Sequence, residues 1–330
     1  MLYQVLRRFA ASLVTLALVS VVAFVVIALP PGDYADAYAA SRIAGGEVVT
    51  EADLEVIRHQ FGLDQPLYVQ YLDWIGGVLQ GDFGYSYQYH RPVKEVIGER
   101  LPMTIFLATT TMLFIYGTAI PLGIYSALHQ YSIADYSMGI LGYIGLATPN
   151  FLLALILMYL GQIWFGTSAG GVFSYEYQDA PWSIGKFFDL LAHIWVPVVV
   201  LGTAGMAFQL RTMRATLLDE LNKMYVTSAR ATGQSEMKMI LTYPVRMALN
   251  PIVSTLGWEL SRVISGAPII GVVLALPDTG SLFLNALLNQ DMLLAGAIIL
   301  IFSVLVMVGT LISDILLMIL DPRIRLQLGE

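Results

Sequence analysis

The chain of 330 residues contains no cysteine. That excludes disulfides, thiolate zinc centres and a cysteine nucleophile, while leaving the compartment undecided. Charge is scarce as well. Asp, Glu, Lys and Arg make up 12% of the residues, against about 25% in an ordinary soluble domain. The net charge of −7 offers no basic surface for nucleic acid. Histidines are few and scattered (His59, His90, His129, His193), with no H-E-x-x-H pair to hold a metal. A phosphate-binding loop is missing too, because the Gly185-Lys186 pair is followed by Phe187 rather than Ser or Thr. Gly233-Gln234-Ser235 looks like a nucleophile turn only superficially, since no base lies near it in sequence. No catalytic residue, metal ligand or cofactor site is assigned. If ATP drives this protein, another chain hydrolyses it.

What is present is apolar: 57% of the residues are hydrophobic and the mean hydropathy is +0.70. A bilayer core of about 30 Å takes about 20 apolar helical residues. Uncharged runs of that kind cover 9–29, 103–128, 138–165 and 292–313. Residues 194–210 reach full length when 190–193 are added, and 247–276 qualify despite Glu259 and Arg262. The expectation is an all-α integral membrane protein with six transmembrane helices. Arg7 and Arg8 precede the first run, which is longer than a signal-peptide core and ends in Leu-Pro-Pro-Gly-Asp, so it reads as a retained anchor. Pro121, Pro149, Pro197, Pro251 and Pro268 fall within the spans or at their ends, where they would interrupt them.

Orientation follows the basic residues near span ends. With a cytoplasmic N-terminus, the inside carries Arg7, Arg8, Arg211, Arg214, Lys223, Arg230, Lys238, Arg246, Arg323 and Arg325. The outside carries Arg42, Arg58, Arg91, Lys94, Arg100 and Lys186, most of them in one long and largely acidic loop. Both termini are therefore expected in the cytoplasm. The outer loop, 30–102, contains two helical patterns. Thr50 followed by acids and closed by Gly62 marks one. The stretch from Pro66 to Gly81 marks an amphipathic helix whose aromatics share a face, suited to rest on a membrane surface or to receive an external partner.

Between the fourth and fifth spans runs "YVTSARATGQSEMKMI", residues 225–240. The preceding residues place Asp219 and Glu220 early and Arg230 late, matching the helix dipole, with Asp219 and Lys223 spaced as an i,i+4 pair. Gly233 ends that helix, and Ser235 with Glu236 caps a second one. Small residues at Ala229, Ala231 and Gly233 leave a bend that another protein's groove can enclose. An ordinary cytoplasmic helical hairpin is the alternative. In the fifth span Glu259 and Arg262 lie three residues apart, about 18 Å into the bilayer for Glu259 if the helix is continuous from Met247. They either form a self-neutralising structural pair or line a pathway or gate.

This insert, followed by "YPVRMALNP", resembles the EAA loop of bacterial ABC-importer permeases. The resemblance extends along the chain through "PPGD" at 30–33, "FGLDQPLYVQYLDWIGGVLQGDFGYS" at 61–86, "RPVKEVIGERLPMTIFLA" at 91–108 and "LDPRIR" at 320–325. It is similar to the first permease subunit of the dipeptide/oligopeptide/nickel group. The resemblance implies a MetI-like type I importer permease fold with an N-terminal span (1–29), a periplasmic loop (30–102), a five-span core (103–321) and a cytoplasmic tail (322–330). The resemblance further implies a coupling helix within 216–245, with Tyr225, Ala229, Arg230, Ala231, Gly233, Ser235 and Glu236 as the ATPase-coupling loop. The implied partners are a homologous second permease, two ATP-binding subunits that hold ATP and Mg, and a periplasmic solute-binding protein, all at the bacterial inner membrane. Thr232 departs from the family's usual basic residue, and Gly271, Leu276 and Asp278 depart from its usual Glu, Trp and Gly. Peptides, oligosaccharides and nickel stay open as substrates. A secondary transporter is the other transport class, but no internal repeat favours it.

Overall fold

The computed structural model describes residues 2–29, 32–46, 48–60, 62–165 and 170–320. Pro30, Pro31, Arg323, Arg325 and the tail 322–330 lie outside the described residues. The described chain is almost wholly helical. It runs α1 (Leu2–Ala28), α2 (Tyr34–Ala44), α3 (Glu51–Gln60) and α4 (Leu67–Leu79), then an antiparallel pair β1 (Tyr85–Ser86) and β2 (Arg91–Pro92). α5 (Val93–Leu128), α6 (Ile133–Ala147), α7 (Asn150–Phe165) and α8 (Ile184–Leu221) follow. After them come α9 (Met224–Ala231), α10 (Glu236–Thr242), α11 (Pro244–Ser254), α12 (Leu256–Val273), α13 (Thr279–Leu288) and α14 (Met292–Leu320).

Five described helices are long and apolar enough to cross a bilayer: α1, α5, α8, α12 and α14. A sixth crossing exists if α6 and α7 count together, but they meet at a bend of 107°. The expected straight span 138–165 is therefore broken. Its cause is Pro149, which forces the preceding residue out of the helical region. Thr148 is extended at φ −83° and ψ 121°. The other four prolines do not interrupt their helices: α5, α8, α11 and α12 continue through Pro121, Pro197, Pro251 and Pro268. The fifth expected span is nevertheless divided, with α11 ending at Ser254 and α12 beginning at Leu256 after Thr255.

Two compact units can be distinguished. One comprises residues 1–8, 105–276 and 306–330. In it α6 packs closely on α8, because a Cβ on Gly145 would stand 2.6 Å from Thr203. Small residues at such crossings are how membrane helices gain van der Waals contact when lipid removes the hydrophobic drive. Arg8 pairs with Asp314. The other unit comprises 9–104 and 277–305. Val93, Val96 and Ile97 pack there with Leu282, Ala286, Leu294 and Ile298.

In that second unit Tyr71 and Trp74 of α4 are turned inward, while Tyr68 is exposed. Trp74 stacks on Phe24 with ring centres 5.7 Å apart, and Tyr71 shares a hydrogen bond of 2.9 Å with Ser20. Two of the three aromatics expected on one face of α4 thus make contacts within the protein. Leu67, Tyr68, Leu72 and Leu79 are the exposed apolar residues of α4. Arg58 of α3 reaches Asp33 at 2.8 Å and Asp36 at 2.6 Å, which ties α3 to the start of α2. Thr50 caps α3 as expected, its backbone and side chain both bonding Asp53.

Candidate transmission and pathway sites

The helix expected to run through 216–231 is two helices. α8 stops at Leu221, where the Asn222 side chain donates to the Leu218 carbonyl at 2.9 Å, and α9 starts at Met224 after two intervening residues. Asp219 and Lys223 do not pair. Lys223 instead bonds Glu220 at 2.5 Å, and Tyr225 donates to the other Glu220 oxygen at 2.6 Å. A turn between the helices brings Glu220 into reach of both, which a continuous helix would not do for Tyr225 five residues on.

Gly233 has φ +76°, the left-handed region in which a side chain is strained, and it ends α9 as expected. No atom lies within 4 Å of where its Cβ would stand, so the bend faces open space. Ser235 sits at the cap position of α10 in extended geometry, but its side chain makes no capping bond. An ion pair, not a side-chain cap, spans the bend. Arg230 bridges the bend to Glu236, with Nη2 to Oε1 at 2.5 Å, and holds the Glu236 carboxyl below its ordinary range. Tyr225, Arg230, Ala231, Ser235 and Glu236 are exposed, whereas Ala229 is half-buried.

The bent pair is fastened from below by residues that the family-like pattern did not single out. Val226, Met239 and Ile240 are buried with Met213 and Leu217 of α8, Ala127 of α5, and Val245, Ala248 and Ile252 of α11. Each Val, Leu, Ile or Met side chain among them is worth about 1.5–3 kcal/mol when fully removed from water. The sign available in sequence is Val226, an isolated aliphatic residue in a polar run. α10 passes into α11 through Tyr243, with Pro244 at the first position, where its missing N–H costs nothing. Arg246 of α11 donates to the Ile319 and Leu320 carbonyls at the end of α14. α9 and α10 thus rest on α8 and α11, and α11 is tied in turn to the end of α14.

Glu259 and Arg262 do form a pair. Arg262 places Nε and Nη2 at 2.9 and 2.8 Å from the same Glu259 oxygen. Gln209 approaches the other oxygen at 3.3 Å and also donates to Thr255 at 2.8 Å. The two partners differ in access: the Glu259 side chain is 2% exposed and that of Arg262 31%. Both border a cavity of about 150 Å³ with Leu146, Ala204, Phe208 and Trp258. Sequence reasoning missed a second buried pair. Asp135, at the start of α6, receives Nε and Nη2 of Arg214 at 2.7 Å each, together with the Ser126 hydroxyl.

A multi-pass helical membrane protein, with a bent helix pair braced against several of its long helices, is the class that this fold and site define. The chain belongs to the family of binding-protein-dependent transport system inner membrane components. That family's pattern matches residues 119–326, and its N-terminal companion matches 1–108. The oligopeptide transport system permease protein AppB of Bacillus subtilis is 35% identical across 97% of this chain and 98% of its own. The dipeptide transport system permease protein DppB of Escherichia coli K12 is 28% identical across 98% and 99%. A solved methionine ABC transporter, MetNI in an inward-facing conformation, matches with a TM-score of 0.53 over 68% of this chain and 96% of that one. At 13% identity, that likeness concerns the fold alone.

Proposed function

We propose that this chain is the permease half-subunit through which peptides enter the cell, with α9 and α10 as its contact to an ATPase. The chain is a membrane permease component of a binding-protein-dependent ABC importer; the substrate is the finer reading. Similarity over nearly the whole length to oligopeptide and dipeptide permeases supports peptides. The basic residues support cytoplasmic termini and a cytoplasmic α9–α10. In this reading a second permease, two ATP-binding subunits carrying ATP and Mg, and a periplasmic binding protein complete the machine. ATP-driven closure of the ATPases pushes α9–α10, the spans rotate, and the pathway opens outward. Hydrolysis returns it inward. Arg262, tethered by Glu259, lines that pathway or its gate.

The observation that carries this reading is the exposed bend at Gly233 on a base of buried Val226, Met239 and Ile240. An exposed tip on a rigid foot transmits force. Gly233→Pro removes the φ +76° that the bend requires, and Ala229→Glu puts a charge on a half-buried position of the foot. Both variants are expected to insert in the membrane, assemble, and lose most peptide uptake and substrate-stimulated ATP hydrolysis in proteoliposomes. Normal uptake by both would end the reading.

A further inference from the structure

Arg211 is the first charged residue after the uncharged stretch 194–210 of α8, so it marks a boundary of the bilayer core. Its near neighbour Arg214 is neutralised by Asp135. Among the described residues no carboxylate pairs with Arg211, and its Nε is buried with no hydrogen-bond partner. Its guanidinium lies over the Tyr143 ring, 5.2 Å from the centroid. A ring face eases the cation but supplies no acceptor for the buried Nε–H, and a buried donor without a partner is costly.

Beside Arg211 opens a cavity of about 300 Å³, bordered by Tyr131, Tyr136, Tyr143, Ile140 and Arg214. It is roomier than one ordered water needs. Tyr131, Tyr136 and Tyr143 are largely exposed, as are Ile140 and Leu141 on the same helix. Phenols around a cation at the edge of an apolar surface match a headgroup boundary, where one end of a ligand is ionic and the other is hydrocarbon.

We propose that Arg211 and the surrounding tyrosines bind the phosphate of an anionic phospholipid. The headgroup enters the cavity, the phosphate supplies the counter-ion that Arg211 lacks, and the acyl chains lie along Ile140 and Leu141. A partner protein's carboxylate and free inorganic phosphate are the competing occupants.

Native mass spectrometry of the assembled importer, released from membranes in mild detergent, tests the proposal. The wild type is expected to retain phosphatidylglycerol or cardiolipin, and Arg211→Gln to retain about fivefold less, the effect of one basic residue at a lipid surface. Arg91→Gln, which removes a charge elsewhere, is expected to retain the wild-type amount. Should Arg211→Gln fail to assemble, the wild type decides alone. In phosphatidylcholine discs, adding phosphatidylglycerol is expected to raise its melting midpoint, and inorganic phosphate is expected not to. No retained anionic lipid in the wild type, equal retention in Arg211→Gln, or a matching shift from phosphate alone would overturn it. So would a photo-crosslink from position 211 that reaches the second permease instead of lipid.

Discussion

Glu259 and Arg262 carry opposite charges on one face of α12, yet only Arg262 has substantial access to the adjoining cavity. What lets them sit there is Gly205 of α8. A Cβ at that position would stand 2.1 Å from Arg262 Nη2 and 2.7 Å from Glu259 Oε2. Gly205→Ala is therefore expected to lower stability by about 1–3 kcal/mol, the usual cost of overpacking, read as an earlier melting midpoint of the purified complex. Uptake is expected to fall with it, because the Arg262 head must move. An unchanged midpoint would show that α8 and α12 can part without loss. At this scale the sequence was informative where partners are close in the chain. The i,i+3 spacing of 259 and 262 could be read directly, whereas Asp135 and Arg214 meet only because α6 folds back along α8.

Elements show a similar division. Apolar length located every long helix, but not the breaks within the expected spans. Pro149 ends a helix because the residue before it becomes extended, while Pro197 and Pro251 are absorbed. Sequence cannot rank them, since tolerance depends on which neighbours satisfy the freed carbonyls. Short elements also depend on buried polar anchors. Asp291, at the head of α14, accepts from the Ser86 hydroxyl at 2.5 Å and from the Gln88 N–H at 3.1 Å, fastening the β1 hairpin. Burial raises its carboxyl above the ordinary value, outweighing those hydrogen bonds. With the folded value raised, the folded state holds the proton more tightly. Stability from this group is present below the unfolded carboxylate range and is lost as pH rises through the raised value. Asp291→Asn is expected to flatten this dependence, so that the wild type loses stability relative to the variant as pH climbs from acidic to neutral. Melting midpoints of the two across pH would check it; parallel curves would refute it.

For the whole molecule, the absence of a phosphate-binding loop and the presence of an exposed, braced bend lead to one expectation. Affinity capture of this chain from native membranes should recover an ATP-binding subunit and a second permease in stable amounts. Arg230→Glu, which reverses the ion pair across the bend, should reduce recovery of the ATP-binding subunit more than that of the second permease. Subunit ratios by quantitative mass spectrometry would measure this. Full transport by the chain alone in liposomes would refute the multi-subunit reading.

The sequence by itself determined the membrane setting, the helical class, the positions of the long spans and the break at Gly233. Each follows from local chemistry: apolar length, charge scarcity, or a residue with a single backbone preference. Only the tertiary structure decided that α4 turns Tyr71 and Trp74 onto Phe24, that Glu220 rather than Asp219 meets Lys223, and that Arg230 rather than Ser235 makes the side-chain contact across the bend. It also decided that Arg214 is neutralised while Arg211 is left without a carboxylate. These outcomes depend on which elements come within a few ångströms of one another. That is set by packing across the fold, where small differences in helix ends redirect long side chains to different partners.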